Sequence, residues 1–491
     1  MLVLSNFHGH LLLESKIISV PLHSNSAGQE NKYFGTDGFH GEINKTLTPV
    51  HAFKIGRFLG WYFSSPLSGC TLSGYRPQIV VGKDTRRSSY MLEYAVAAGI
   101  TASGADAYML HVTTTPSVSY VARQDEFDCS IMITASHNPF FDNGIKIINR
   151  YGEKFDDAST ALVEKYLDGN MDCFGSGEDL PLALRENIGK IIDYSAGRNR
   201  YIGYLISIAS NSYKGLNIGL DCANGSTWMI AKAVFDALGA HTYVIGAQPD
   251  GDNINLNVGS THIEALCELV KEKHLDVGFA FDGDADRCIA VDENGKVVDG
   301  DSIMYILAKR FQQRGLLKDN TVIATIMSNS GFFASLKKEG IRCEQTTVGD
   351  RFVYERMQEK GYSIGGEQSG HIIIRKYATT GDGLLTAIIL TEEICDRKLK
   401  LAALCESITL YPQYVLSVKV KNKNAVLTNK NVKEMLSEIE KKINEKGRIF
   451  LRKSGTEPKI RILVECENQE MCKEYAEAVK DVMQKEGLLD D

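Results

Sequence analysis

Three times along the chain a strand-like run passes through a polar loop into a helical pattern, a glycine stop and a second strand-like run. The segments are RPQIVVGKDTRRSSYMLEYAVAAGITASGADAYML, LNIGLDCANGSTWMIAKAVFDALGAHTYVIG and NTVIATIMSNSGFFASLKKEGIRCEQTTVG. Each opening run is β-branched and bounded by a turn signal. Each helical stretch begins beside Ser, Thr or Asn and stops near Gly. Identity between the segments is too low to establish duplication, but the shared order predicts three related α/β units. The C-terminal part has another order. YPQYVLSVKV reads as a strand, NVKEMLSEIEKKINEK as an amphipathic helix, and GRIFLRKSGTEPKIRILVEC as two strands around a polar loop. A last helix is expected over about 468–486. LTEEICDRKLKLAALCES reads as a charged helix leading into this α+β unit.

The length of 491 residues agrees with several domains. A net charge of -7 argues against a nucleic-acid partner, and an anionic substrate would need a local cationic site. The eleven cysteines are scattered without a CxxC pair, which argues against a zinc ribbon and fits a reducing compartment. No apolar run reaches the ~18 residues of a membrane span. Residues 1–30 read as an extension without a cationic signal region; His8 and His10 lie there and receive no metal role.

Four polar loops carry the chemistry. In FAFDGDADRCIAV, Asp282, Asp284 and Asp286 alternate between buried-looking runs. Three carboxylates so close repel by roughly 4 kcal/mol per pair at an effective dielectric near 20. A divalent cation offsets that cost, and oxygen-only ligands point to Mg2+. The spacing imitates a calcium EF-hand, but Arg287 stands where that loop needs Gly, and the flanks read as strands. In LRKSGTEPKIR two arginines bracket a Ser-Gly-Thr turn, suited to holding phosphate; a plain hairpin connection is the bland alternative. GGEQSGH can present hydroxyl-binding groups among glycines. The following TTGDG can cap a helix with Asp382 near its start.

ITASHNPFFDNGIK is the fourth loop. A Ser-His-Asp hydrolase is a poor reading, because GxSxG is absent and adjacent Ser and His make bad triad geometry. A phosphorylated Ser136 fits better with a Mg2+ site and a phosphate loop elsewhere. Lys146 lies ten residues on, after a glycine turn, placed to return to the same site; a structural salt bridge is its alternative.

Taken in this order, TASHNP, DGDADR, GEQSGH and RKSGTEP resemble the α-D-phosphohexomutase superfamily from about residue 32 to the end. KYFGTDG, NPFFDNGIKI, TTGDGLLTA and LRKSGTEPKIRI look like its bacterial phosphoglucosamine mutase branch, and Gln368 is informative for that choice. The resemblance implies four domains around a central cleft, three related α/β units and an α+β unit. The boundaries expected are 31–176 with the phosphoserine loop, 177–296 with the metal loop, 297–405 with the sugar loop, and 406–491 with the phosphate loop.

The same resemblance implies the reaction and its residues. Glucosamine 6-phosphate and glucosamine 1-phosphate would interconvert through a phosphoserine enzyme and a 1,6-bisphosphate, feeding amino-sugar nucleotide and cell-wall synthesis in the cytoplasm. Ser136 carries the phosphoryl group and, with Asp282, Asp284 and Asp286, holds Mg2+. Arg287 touches the transferring group. Glu367 and Ser369 match sugar-hydroxyl ligands, and Arg452, Ser454, Gly455, Thr456 and Arg461 match the grip on the non-reacting phosphate. Lys146 is the first candidate for general base, which requires a lowered pKa. His371 is a second acid/base candidate and His137 a helper. Glucosamine 1,6-bisphosphate or a similar hexose bisphosphate is the expected activator, an activating kinase an expected partner, and a monomer or homodimer the expected state.

One position departs from the pattern. His40 stands where the family carries Arg near the phosphoserine. A histidine gives no bidentate fork and is partly charged near neutrality, so weaker phosphate stabilisation and stronger pH dependence are expected. Three other readings remain at this level: a phosphoglucomutase or phosphomannomutase, a metal-dependent phosphatase, and a catalytically silent sugar-phosphate-binding relative.

Overall fold

A computed structural model describes residues 32–490 except 36, 71, 73, 175–178, 445 and 454–457. The N-terminal extension with His8 and His10 lies outside the described residues.

Each of the three repeats folds as a strand, a helix and a parallel strand. In the first unit the strand Gln78–Lys83 leads through the helix Arg87–Ala102 to the strand Asp106–Val112. The second unit uses Asn217–Asp221, Ile230–Ala237 and His241–Ile245. The third uses Thr321–Thr325, Ser330–Lys338 and Arg342–Thr346. The likeness extends further than the sequence pattern. A second helix follows in each unit, at Thr115–Gln124, Glu264–Lys273 and Asp350–Lys360. It returns the chain to a strand parallel to the first: Cys129–Ile133, Val277–Phe281 or Ile364–Gly366. That strand then pairs antiparallel with the next one: Asp142–Asn149, Cys288–Asp292 or Ile372–Ile374.

The opening strands of the three units are buried at successive positions because both faces of the sheet are covered there. Ile79 and Val81 join the core that also holds Phe58, Leu92 and Val96. Val80, between them, faces the opposite core with Val118 and Phe127. On the first face the helices Pro49–Tyr62 and Arg87–Ala102 cross closely at Gly56 and Gly99. A methyl group on Gly99 would lie 2.1 Å from the Phe53 carbonyl. The first sheet also gains the edge strand Ile191–Asp193 beside Asp106–Val112, so it reaches past residue 176.

One continuous core runs from the second unit into the third, joining Tyr201, Phe279, Ile303 and Ile388. The fourth unit is a three-stranded antiparallel sheet, Gln413–Lys419, Lys459–Glu465 and Arg448–Lys453, with Lys459–Glu465 in the middle. The helices Lys430–Ile443 and Gln469–Lys485 lie within a residue or a few of their expected places. The segment LTEEICDRKLKLAALCES is not one helix. Its first part ends the helix Gly383–Arg397, Lys398 turns left-handed at φ 54°, and a short helix Leu401–Cys405 follows.

Candidate active site

The three α/β units place their functional loops at one equivalent point, the turn from the third parallel strand to its antiparallel partner. Ser136 lies there in the first unit, Asp282, Asp284 and Asp286 in the second, and Glu367 and Ser369 in the third. The ends of parallel strands are where open α/β sheets put ligands.

Ser136 is buried and left-handed, with φ 49°. A non-glycine residue holds that conformation only when its surroundings fix it. Here Thr134 Oγ1 accepts its amide at 3.0 Å, and Ser136 Oγ donates to Asp282 Oδ2 at 2.6 Å. His137 Nδ1 is 3.3 Å from the same hydroxyl. Desolvation and the Arg287 guanidinium hold the His137 ring below its ordinary pKa, so it is neutral near pH 7.

Asp282, Asp284 and Asp286 are buried, and one oxygen of each lies within 4.8 Å of the others. The flanking strands pair antiparallel, which rules out the helix-flanked EF-hand. Asp284 Oδ1 and Asp286 Oδ1 have no hydrogen-bond partner among the described residues. Buried carboxylate oxygens without donors are costly, and a divalent cation supplies what they lack. The cluster therefore fits a metal ion. Thr115 Oγ1 donates to Asp284 Oδ2 at 2.6 Å, and the Arg287 amide to Asp282 Oδ1 at 3.2 Å. The Arg287 guanidinium lies within 3.9 Å of Asp282 and 3.8 Å of Asp286, next to the ligands as expected.

Lys146 does return to the site. Its Nζ is 2.9 Å from Asp284, 3.4 Å from Asp286 and 3.0 Å from Asp37. Burial disfavours its charge, but Asp284, Asp37 and Asp286 outweigh burial and hold the ammonium well above its ordinary pKa. A base with a lowered pKa was expected here; in this arrangement Lys146 is a cation, because the carboxylates surround it. His371 is also buried at the site, with Nδ1 3.6 Å from Asp286 and Nε2 3.5 Å from Asp350. Burial lowers its pKa, while Asp286 and Asp350 raise it to about 9. The Gly381 amide opposes that second proton, since it donates to Nε2 at 3.1 Å and needs a lone pair there. With Nε2 accepting from Gly381, the ring carries its proton on Nδ1.

His40 lies on the strand Gly38–Glu42, opposite Gly144. Burial, before any charge, lowers its pKa to about 4, although Asp37 pulls the other way. His40 is thus uncharged at neutral pH. The pH dependence expected of it near neutrality does not follow, because its titration lies in acid.

Glu367 Oε1 accepts the Gly349 amide at 3.2 Å, and Ser369 is exposed beside it. Gln368 Nε2 donates to Asp299 Oδ2 at 3.2 Å and its carbonyl accepts the Gly300 amide. In the fourth unit Arg452 and Arg461 are exposed and directly opposite each other across the two strands. Like charges so placed repel, and an anion between them relieves the repulsion. Ser454, Gly455 and Thr456 lie outside the described residues.

The sequence reading did not single out Asp37, Lys154 and Asp350. Asp37 bridges Lys146 and Lys154 at 3.0 Å each, and Lys154 reaches Asp350 at 2.7 Å. These residues line a cleft between the first and third units that also takes in Lys146 and Asp286. Asp37 sits inside the FGTDG stretch, so a signal was present; Lys154 and Asp350 stand among other charges, in GEKFDD and VGDRF, with nothing to mark them.

Models of the phosphoglucomutase/phosphomannomutase α/β/α domains I, II and III match residues 31–172, 199–295 and 299–411, and the C-terminal domain model matches 416–482. The chain belongs to this family. The phosphoglucosamine mutase of Lachnospira eligens is 56% identical over 456 residues, which cover 93% of this chain and 99% of that protein. The Bacillus subtilis phosphoglucosamine mutase is 45% identical over 455 residues, again 93% and 99%. Among solved structures, a Burkholderia thailandensis phosphoglucomutase/phosphomannomutase family protein superposes with a TM-score of 0.74 at 21% identity, covering 93% of this chain and 98% of that one. Aspergillus fumigatus N-acetylphosphoglucosamine mutase, in complex with GlcNAc-6P and magnesium, gives 0.64 at 15% identity, covering 93% and 96%. The family's four-domain order is the order of the sheets described above. No helix of the described residues is long and apolar enough to cross a membrane.

Proposed function

We propose that the chain interconverts glucosamine 6-phosphate and glucosamine 1-phosphate in the cytoplasm, as a phosphoserine enzyme. The observation that carries this is the contact of Ser136 Oγ with a buried three-aspartate cluster, in a chain 45–56% identical to phosphoglucosamine mutases. Asp282, Asp284, Asp286 and a phosphoryl oxygen on Ser136 would hold the ion, with Mg2+ the best match to oxygen ligands. When bound, Mg2+ neutralises charge that develops on the transferring phosphoryl group.

The protein's own residues do the rest. The phosphoryl group passes from Ser136 to the free sugar hydroxyl, giving a 1,6-bisphosphate. Lys146 begins as a cation, so it can give its proton to the departing serine oxygen and recover one from the sugar hydroxyl. Arg287 faces the same group. Glu367 and Ser369 bind sugar hydroxyls, and Arg452 and Arg461, with Ser454, Gly455 and Thr456, grip the distant phosphate. The bisphosphate then turns round, and the other phosphate returns to Ser136. A hexose bisphosphate or a kinase would load Ser136 initially.

Intact-mass measurement is the test. Purified protein should carry one phosphate on Ser136 and lose it on mixing with glucosamine 6-phosphate; Ser136→Ala should carry none and turn over at under 1% of wild type. Absence of Ser136 phosphate in an enzyme that still turns over would sink the mechanism. Glucosamine, glucose and mannose phosphates assayed side by side decide the sugar; a preference for glucose or mannose would replace the substrate assigned here.

A further inference from the structure

Behind the Ser136 loop lies a guanidinium with no access to the cleft. Arg86 is fully buried, and all five of its N–H donors are used. Nε donates to Asp84 Oδ2 at 2.8 Å. One terminal nitrogen donates to the carbonyls of Ser136 and Asn138, each at 2.9 Å. The other donates to the carbonyls of Pro139 and, at 3.0 Å, Asp142. Asn255, from the second unit, donates its side-chain amide to two of the same carbonyls, at 2.9 Å for Ser136 and 3.1 Å for Asn138. Asp84 completes the frame by accepting Thr134 Oγ1 at 2.8 Å, and Thr134 Oγ1 in turn accepts the Ser136 amide.

A buried ion pair is a poor stabilising device, because desolvation offsets much of its attraction. Its geometry here has a clearer consequence. The peptide units are planar and trans, so each N–H points opposite to the C=O of the same unit. With the Ser136 carbonyl drawn to Arg86 and Asn255, the His137 N–H is turned to the other side. Among the described residues no protein acceptor meets it. The left-handed φ of Ser136 is held by the same contacts.

We propose that Arg86 is a positioning residue for phosphoryl transfer. By gathering four carbonyls on one side of the loop it aims the His137 amide N–H at the phosphoryl group on Ser136. The proposal rests on the phosphoserine reading above. Lysine keeps the charge but cannot hold four carbonyls in a plane. Arg86→Lys should therefore lower kcat about a hundredfold, the scale of a 1 Å misplacement, with KM within about threefold of wild type. Ser136 should still accept phosphate from glucose 1,6-bisphosphate by intact mass, and should transfer it to sugar phosphate more slowly in a single turnover. Asn255→Gly removes the second donor and tolerates the positive φ at that position. It should lower kcat about tenfold, and it decides the matter if Arg86→Lys does not fold. An active wild type beside an Arg86→Lys enzyme of equal kcat, or beside an unaffected Asn255→Gly, overturns this proposal alone. A wild type with neither Ser136 phosphate nor turnover overturns the functional reading and this proposal with it.

Discussion

His40 packs over Gly144, where a methyl group would lie 2.0 Å from its Cδ2. The ring is buried there, and its Nε2 has no partner among the described residues. The folded protein therefore prefers the neutral ring, with a pKa near 4 against an ordinary 6.5. The sign follows. Above pH 6.5 the group costs nothing; as pH falls from 6.5 towards 4 the unfolded chain takes up a proton the folded one refuses, and stability is lost. At pH 4.5 the loss reaches about 2–3 kcal/mol. His40→Gln should remove this share of acid lability while leaving the pH profile of turnover between 6.5 and 8 unchanged. Urea unfolding at pH 7 and 4.5 checks it; equal acid losses in the two proteins would refute the assignment.

The helix Gly383–Arg397 begins at Asp382, as the TTGDG signal indicated. Asp382 Oδ1 accepts the Leu385 amide at 2.9 Å, the capping contact expected of Asp. The structure adds a second duty. The buried Tyr201 hydroxyl, from the helix Ser195–Ile208, donates to the same carboxylate at 2.9 Å and ties the second unit to the third. Burial raises Asp382 to about 6 even with these donors present. Tyr201→Phe should cost about 1–2 kcal/mol, one buried hydrogen bond. Asp382→Ala should cost about 2–4 kcal/mol, because it removes the cap and also strands the tyrosine hydroxyl. Denaturant titration separates the two, and a larger loss for Tyr201→Phe would reverse this account.

The whole molecule depends on how the fourth unit is seated. Glu465 is fully buried and accepts the Ser330 amide at 2.9 Å, Gln413 Nε2 at 2.6 Å and an Arg448 nitrogen at 2.7 Å. Arg448 reaches on to the carbonyls of Ile326 and Ser328 in the third unit, at 2.5 and 2.6 Å. This clamp fixes the strands that carry Arg452 and Arg461. Glu465→Ala leaves Arg448 without its buried partner. It should raise KM for sugar phosphate roughly tenfold or more, the loss of one or two charge-assisted bonds, while Ser136 still accepts phosphate. Steady-state kinetics beside intact mass would show it, and an unchanged KM would mean that the fourth unit is seated by other contacts.

The sequence by itself determined the three α/β units, the four loops and the residue types in them. Those features are local: apolar runs bounded by turns, and acids too close together to be left unneutralised. It could not determine the protonation of Lys146, which depends on Asp37, 109 residues earlier, and on Asp284 and Asp286, more than a hundred residues later. Nor could it give the neutrality of His40, set by the burial that Gly144 permits, or the hydrogen bond from Gln368 to Asp299. Arg86 stood within KDTRRSS among other polar residues, and nothing in its neighbours distinguished it from Arg87, which is exposed. Only the fold, by folding the Ser136 loop over one guanidinium and leaving the next in solvent, separated them.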